Sequence, residues 1–228
     1  MKKALLFFPF LFTLIIVSCS HKYYTMSYFD QQTMNHKIVA VLPAEMIFTG
    51  KQPDNLKPEE ISKIEEQESR GFQQALYNSI LRYANSRKYF TRINLQDLGT
   101  TQRILEEHNI NYKDAWKKDD KELAALLGVD AVVKMRIQKQ RYMSDMASYG
   151  ISLGKQIIYN TGAASKLPLP YIPNKTNDIY ASCNIISNNQ TLWNDSYKAA
   201  SDWNSPANEI IENITNNFGQ HFPYKQRR

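Results

Sequence analysis

The sequence is short of cysteine, glycine and proline. Its 228 residues include two cysteines, eight glycines and nine prolines. Two cysteines cannot build the disulfide framework of a small secreted scaffold. So little glycine and proline excludes a collagen-like fibre and a linker-dominated chain. Histidine is scarce and scattered, at His21, His36, His108 and His221. No two histidines have the i, i+4 spacing of a zinc helix and no Cys-x-x-Cys occurs, so no metal is expected. A nucleophile elbow of the form Gly-x-Ser-x-Gly is missing. The stretch Gly150 to Lys155 is one residue too short for a phosphate loop. No catalytic residue, no cofactor and no enzymatic activity are expected. Charge of one sign is also limited. The net charge is +6, and Lys2 and Lys3 account for two of these, so a chain that loses its first residues keeps +4. That is too little to point to nucleic acid.

Long apolar runs are missing except at the N-terminus. There Lys2 and Lys3 precede an apolar run from Ala4 to Val17, broken only by Pro9 and Thr13. Its 14 residues suit a signal peptide and fall short of the roughly 20 that a spanning helix needs. The run ends in Ile16-Val17-Ser18-Cys19. This resembles the bacterial lipobox, in which a small residue precedes a Cys that is acylated before cleavage makes it residue one. The resemblance implies a signal peptide over 1–18, lipidation of Cys19 (palmitate among its acyl chains) and a body held on a lipid bilayer. Several acyl chains hold far better than the marginal grip of one. Ser20 in place of Asp resembles outer-membrane cargo, and residues 20 to 24 lack an acidic export cluster, which implies a body facing the periplasm. With Cys19 lipidated, Cys183 stands alone in an apolar strand-like run and reads as a small buried hydrophobe.

The remainder, 43% hydrophobic and 22% charged overall, is ordinary globular material. Residues 19–36 read as the lipidated Cys and a tether. Lys37 to Pro43 (KIVAVLP) reads as a buried strand, followed by a loop with Gly50, Pro53 and Asn55. Pro58-Glu59-Glu60 opens a helix whose Phe72, Leu76, Ser79, Ile80 and Ala84 recur at three and four residues. Its glutamates read as a solvated face. Short strand signals at 89–93, helices near 101–108 and 119–127, and Gly128 at a C-cap lead into a strand from Val129. Ile179 to Ile186 and Thr191 to Tyr197 flank the turn Ser187-Asn188-Asn189-Gln190 and read as a hairpin. Ser205-Pro206 starts the last helix, and 223–228 is a basic tail. The order β-α-β-α-α-β-β-β-α predicts one α/β (α+β) domain over 37–222, a small mixed β-sheet with helices packed on it.

Leu123 to Val133 (LAALLGVDAVV), together with the IVAVLP strand, the long helix after it and Gln190-Thr191-Leu192-Trp193 in the hairpin, resembles lipoproteins with a TolB amino-terminal-domain-like, CsgG-like fold. That resemblance implies a structural Asp130 at the helix-to-strand turn and no shared catalytic residue. It also implies a non-enzymatic interaction, assembly or regulatory factor whose partner is another envelope protein. The alternative is an oligomeric secretion channel built from copies of this chain.

Two stretches offer an interaction surface. Lys134, Arg136, Lys139 and Arg141 form the densest basic run; it reads as an exposed strand end that deters edge pairing, or, with Lys139 and Arg141 as interaction residues, as a contact for an acidic partner or anionic lipid headgroups. In residues 143–165, Tyr149, Ile151 and Leu153 alternate with small residues, and only Asp145 and Lys155 are charged before Thr161. A strip this apolar is expected to be covered by the sheet or by a second protomer. Its alternation is shorter than the 9–11 residues of a barrel strand.

Overall fold

A computed structural model describes residues 23–50, 57–141, 175–202 and 204–228. The chain opens with a two-residue strand β1 (Tyr24–Thr25) and a short helix α1 (Phe29–Gln32). β2 (Ile38–Val41), β3 (Glu45–Gly50) and the long α2 (Pro58–Ala84) follow. β4 (Tyr89–Thr91) and β5 (Asn94–Leu95) lead into α3 (Leu98–Glu107), α4 (Tyr112–Lys117) and α5 (Asp120–Leu127). The chain closes with β6 (Ala131–Arg141), β7 (Lys175–Ser187), β8 (Gln190–Asp202), α6 (Ala207–His221) and β9 (Lys225–Arg227). The fold is mixed α/β, as the alternation of elements predicts.

The main sheet runs β1-β8-β7-β6-β2-β5, with β3 also paired to β6. β2 lies parallel to β5 and β6, while along β6, β7, β8 and β1 each strand is antiparallel to the next. The parallel part is covered on both faces. Val39 and Val41 pack beneath α2 with Phe72, Leu76 and Ile80, while Ala40 and Leu42 pack on the other face with Leu105, Leu123 and Leu127. A strand covered on both faces needs a continuous apolar sequence, which is what 38–42 provides. β7 and β8 bury only one face, that of Ile179, Ala181, Cys183, Ile185 and Trp193. Their turn places Asn188 and Asn189 at φ of 49° and 61°, the left-handed pair that a two-residue hairpin requires.

Three expectations are corrected. The stretch after Pro43 is not all loop: β2 ends opposite Val133, the chain steps aside at Pro43, and β3 resumes the ladder along β6 from Glu45 opposite Arg136. The carbonyls freed at the step are taken up by Gln73 Nε2 on Val41 (2.7 Å), Trp116 Nε1 on Pro43 (3.0 Å) and Ser69 Oγ on Ala44 (2.6 Å). β3 ends at Gly50, where φ is +89° and an added Cβ would meet the Arg141 carbonyl. The part of the tether after Tyr23 is not loose, because β1 joins β8 and α1 buries Phe29 in the main core. The basic tail is not free either: β9 pairs with β4, and Phe222 and Tyr224 are fully buried.

Helix ends follow local rules. Asp97, Asn111 and Asp119 cap α3, α4 and α5 by accepting backbone N–H bonds, and Gly128 closes α5 at φ +67°. Among the described residues no helix is long and apolar enough to cross a membrane.

Candidate functional site

Cys19, Tyr149, Ile151 and Leu153 lie outside the described residues. The two basic residues of the expected surface are described. Lys139 is mostly buried: its ammonium lies 2.6 Å from Glu68 Oε2 and 5.4 Å from the centre of the Phe48 ring. Arg141 is half-buried at the end of β6, opposite both Gly50 and Asn177. The reading of 134–141 as an exposed strand end is corrected, because β6 is flanked on both sides by other strands. Lys134 is buried, ion-paired with Asp120 and 5.3 Å from the Trp116 ring; Arg136 pairs with Glu45 and lies 5.5 Å from the same ring. Glu65 and Glu68 of α2 are likewise not a solvated face, since they hold Lys113 (2.7 Å) and Lys139.

The structure also brings together groups that are distant in sequence. Cys183 on β7 sits opposite Asp195 on β8, and Asp195 Oδ2 is 2.9 Å from His221 Nδ1 at the end of α6. A thiol, a carboxylate and an imidazole in one neighbourhood suggest a nucleophilic centre. The electrostatics oppose it: burial first, then the adjacent Asp195 charge, push the Cys183 thiol well above its ordinary value. A thiol held protonated is a poor nucleophile. No group of three or more His, Cys, Asp or Glu among the described residues could hold a metal ion.

A cleft of about 550 Å³ opens between α2 and α3, at the carboxyl end of β2, and is bordered by Arg70, Gln73, Gln102, Glu106 and Tyr112. Its charges are satisfied internally. Arg70 is 2.9 Å from Glu66 and 3.9 Å from Glu106.

A further polar cluster lies at the other end of the strands, where both described termini meet. Arg92, between β4 and β5, donates to Thr33 Oγ1 (2.5 Å), pairs with Asp30 (3.0 Å) and lies 5.9 Å and 5.8 Å from the Phe29 and Tyr224 ring centres. His36 Nδ1 is 2.7 Å from the Tyr224 hydroxyl. Burial lowers His36, the Asp130 charge pulls it back up and Arg92 lowers it again. Burial pushes the Tyr224 hydroxyl up, so the phenol stays protonated beside the imidazole. Asp130 does what its turn position implies: Oδ2 accepts from the Lys37 and Ile38 amides at 2.7 and 2.9 Å. Burial raises the Asp130 carboxyl, but those two amides outweigh it and hold it below its ordinary range. No signal in sequence spacing could have joined Thr33, Arg92 and Tyr224, because each contributes through a long-range contact.

No protein-family model matches the chain, and no curated protein matches it in sequence. Solved structures of similar arrangement include the lipoprotein GNA1162 from Neisseria meningitidis, at 11% identity and TM-score 0.39, covering 77% of this chain and 90% of that one. The PelC dodecamer from Paraburkholderia phytofirmans is similar at 6% identity and TM-score 0.40, covering 87% and 92%. The LpoB C-terminal domain from Salmonella enterica is similar at 10% identity and TM-score 0.37, covering 73% and 83%. Likenesses this weak carry no conclusion about what the chain does.

Proposed function

We propose that the protein is a non-enzymatic lipoprotein of the bacterial cell envelope, anchored to the outer membrane by acylated Cys19 with its body facing the periplasm. In this reading the α/β body binds another envelope protein, or further copies of itself, as an assembly or regulatory factor. The observation that carries the reading is Ile16-Val17-Ser18-Cys19 at the end of a 14-residue apolar run behind Lys2 and Lys3. The buried thiol of Cys183 supports the non-enzymatic part, since burial and the Asp195 charge disfavour its thiolate. The test is Cys19→Ala in cells fed a labelled fatty acid. Wild type should carry the label and sediment with outer membranes, and the variant should lose the label and accumulate unprocessed. Equal labelling of both would refute the anchor. Crosslinking in intact envelopes then reads the partner, and the size of the detergent-extracted protein separates a small complex from a ring of many copies.

A further inference from the structure

We propose that the end of the sheet carrying β1, α1 and the β4–β9 pair is a membrane-docking face that lies against anionic lipid headgroups. The proposal rests on the Cys19 anchor proposed above and goes beyond it, because an anchor alone leaves the orientation of the body free.

Three observations support it. The first is reach. Three residues separate Cys19 from Tyr23, so the four steps between them span at most about 14 Å whatever the path. From Tyr23 onward the chain is fastened to the body. The Tyr23 ring stacks on His221 with centroids 5.3 Å apart, Tyr24 and Thr25 pair with β8, and Phe29 is buried. A lipid on Cys19 therefore holds this end of the body close to the bilayer.

The second is the character of the exposed apolar side chains. Tyr23, Tyr24, Tyr28 and Met34 are 51%, 54%, 73% and 72% exposed, all within twelve residues. Tyrosine suits the membrane interface, with an apolar ring and a hydroxyl that stays wet. Phe90 on β4 is also exposed, at 37%.

The third is charge. Topology places the C-terminal ends of α2 and α6 at the end where β2 and β6 begin. There the β4–β9 pairing sets Tyr89 opposite Arg227, and the Arg228 amide donates to the Lys88 carbonyl at 3.0 Å. Arg87, Lys88, Arg227 and Arg228 are all exposed and drawn from two distant stretches of the chain, and Lys37 is exposed at the start of β2. Acyl chains plus a basic patch are the combination that gives firm contact with anionic lipid. The opposite end, where Arg141 leaves β6 and β7 begins, stands roughly 33 Å away along the strand and would point off the membrane.

The test uses the full lipidated protein in vesicles of phosphatidylethanolamine with and without phosphatidylglycerol, read by amide hydrogen exchange, with the mass of the first peptide reporting acylation of Cys19. Relative to the protein in neutral detergent, amides of 24–34 and 88–91 should exchange roughly tenfold more slowly on phosphatidylglycerol vesicles, while those of 106–118 stay unchanged. The protection should disappear in the surface variant Tyr24→Ser, Tyr28→Ser, Arg87→Glu, Lys88→Glu, which keeps every buried contact and its acyl chains. If the chain is acylated and 24–34 is unprotected, or protection falls at Arg141 and Asn177 instead, the docking face is wrong and the anchor stands. If no acyl mass is found, the anchor has failed and the docking face falls with it.

Discussion

The two faces of the sheet are built differently. The face under α2 and α6 holds Trp193, Phe72, Phe218, Phe222 and Tyr224, all buried, and takes Phe29 from the N-terminal segment as well. The face under α3 and α5 holds a smaller, mainly aliphatic cluster of Ala40, Leu42, Leu105, Leu123, Leu127 and Val132. Past β6 that cluster takes in only Ile186 at the end of β7. Beyond it the same face of β7 and β8 presents Tyr180, Ser182, Asn194 and Lys198 to solvent to varying degrees. The difference follows strand direction. Parallel strands joined by crossover helices become covered on both sides, while an antiparallel hairpin needs cover on one side only. The large face therefore carries most of the burial and ties both described termini into the body, and the small face positions α3–α5 and the cleft beside them.

The first way to break this comparison is to empty one site on each face. Leu76 and Leu123 are both fully buried. Leu-to-Ala substitutions cost about 2–5 kcal/mol, the spread reflecting how far the surroundings can collapse. Leu76 is fixed in the middle of a 27-residue helix between two layers, whereas α5 has eight residues and can settle inward. Leu76→Ala should fall in the upper part of that range and Leu123→Ala near about 2 kcal/mol in urea titrations. An equal or reversed order would mean that the two faces share the load evenly.

A smaller effect is expected from overfilling the large face. An added Cβ on Gly219 of α6 would sit 2.9 Å from the backbone of Ser79 on α2, so these helices cross at van der Waals contact of their main chains. Gly219→Val should destabilise by about 1–3 kcal/mol through forced separation of the helices. The exposed Gly71, where a Cβ meets nothing within 4 Å, serves as the control, and Gly71→Ala should be neutral or mildly stabilising. A Gly219→Val protein as stable as wild type would show that α2 and α6 are free to move apart.

Much of this division was legible in the sequence. The three-and-four spacing of Phe72, Leu76, Ile80 and Ala84 gave α2 its buried stripe, and the unbroken apolar run at 38–42 identified a strand covered twice. The Asn188-Asn189 turn and the caps at Pro58 and Gly128 are local signals and were readable for that reason. What escaped depended on partners far along the chain. β1 and β9 have two and three residues and no period of their own; they exist because β8 and β4 are there to receive them. Lys134 looked exposed by residue type, and its burial became visible only when Trp116 and Asp120 were placed beside it. Asp195 and His221 form a pair across 26 residues that no spacing rule addresses.

The smallest expected effect concerns pH and sharpens the contrast between the end where the termini meet and the small face. His36 is lowered from its ordinary value of 6.5, chiefly by burial. The unfolded chain therefore takes up this proton before the folded one does. The stability contributed by the neutral imidazole is complete above pH 6.5 and is lost as pH falls from 6.5 to the lower folded value; further acid removes no more of it. Asp130 is also lowered, but from 3.8, so its contribution is lost as pH falls below that value, starting well below where the His36 loss starts. Protonated His36 carries its charge into a half-buried place and meets the Arg92 charge, so loosening should start where α1 leads into β2. Melting temperature should decline between pH 6.5 and 5 in wild type and more shallowly in His36→Gln. Leu123→Ala, which removes an apolar side chain from the aliphatic cluster and changes no titrating group, should lower the whole curve without changing its slope. A His36→Gln curve parallel to wild type would mean that His36 does not couple the joined termini to pH.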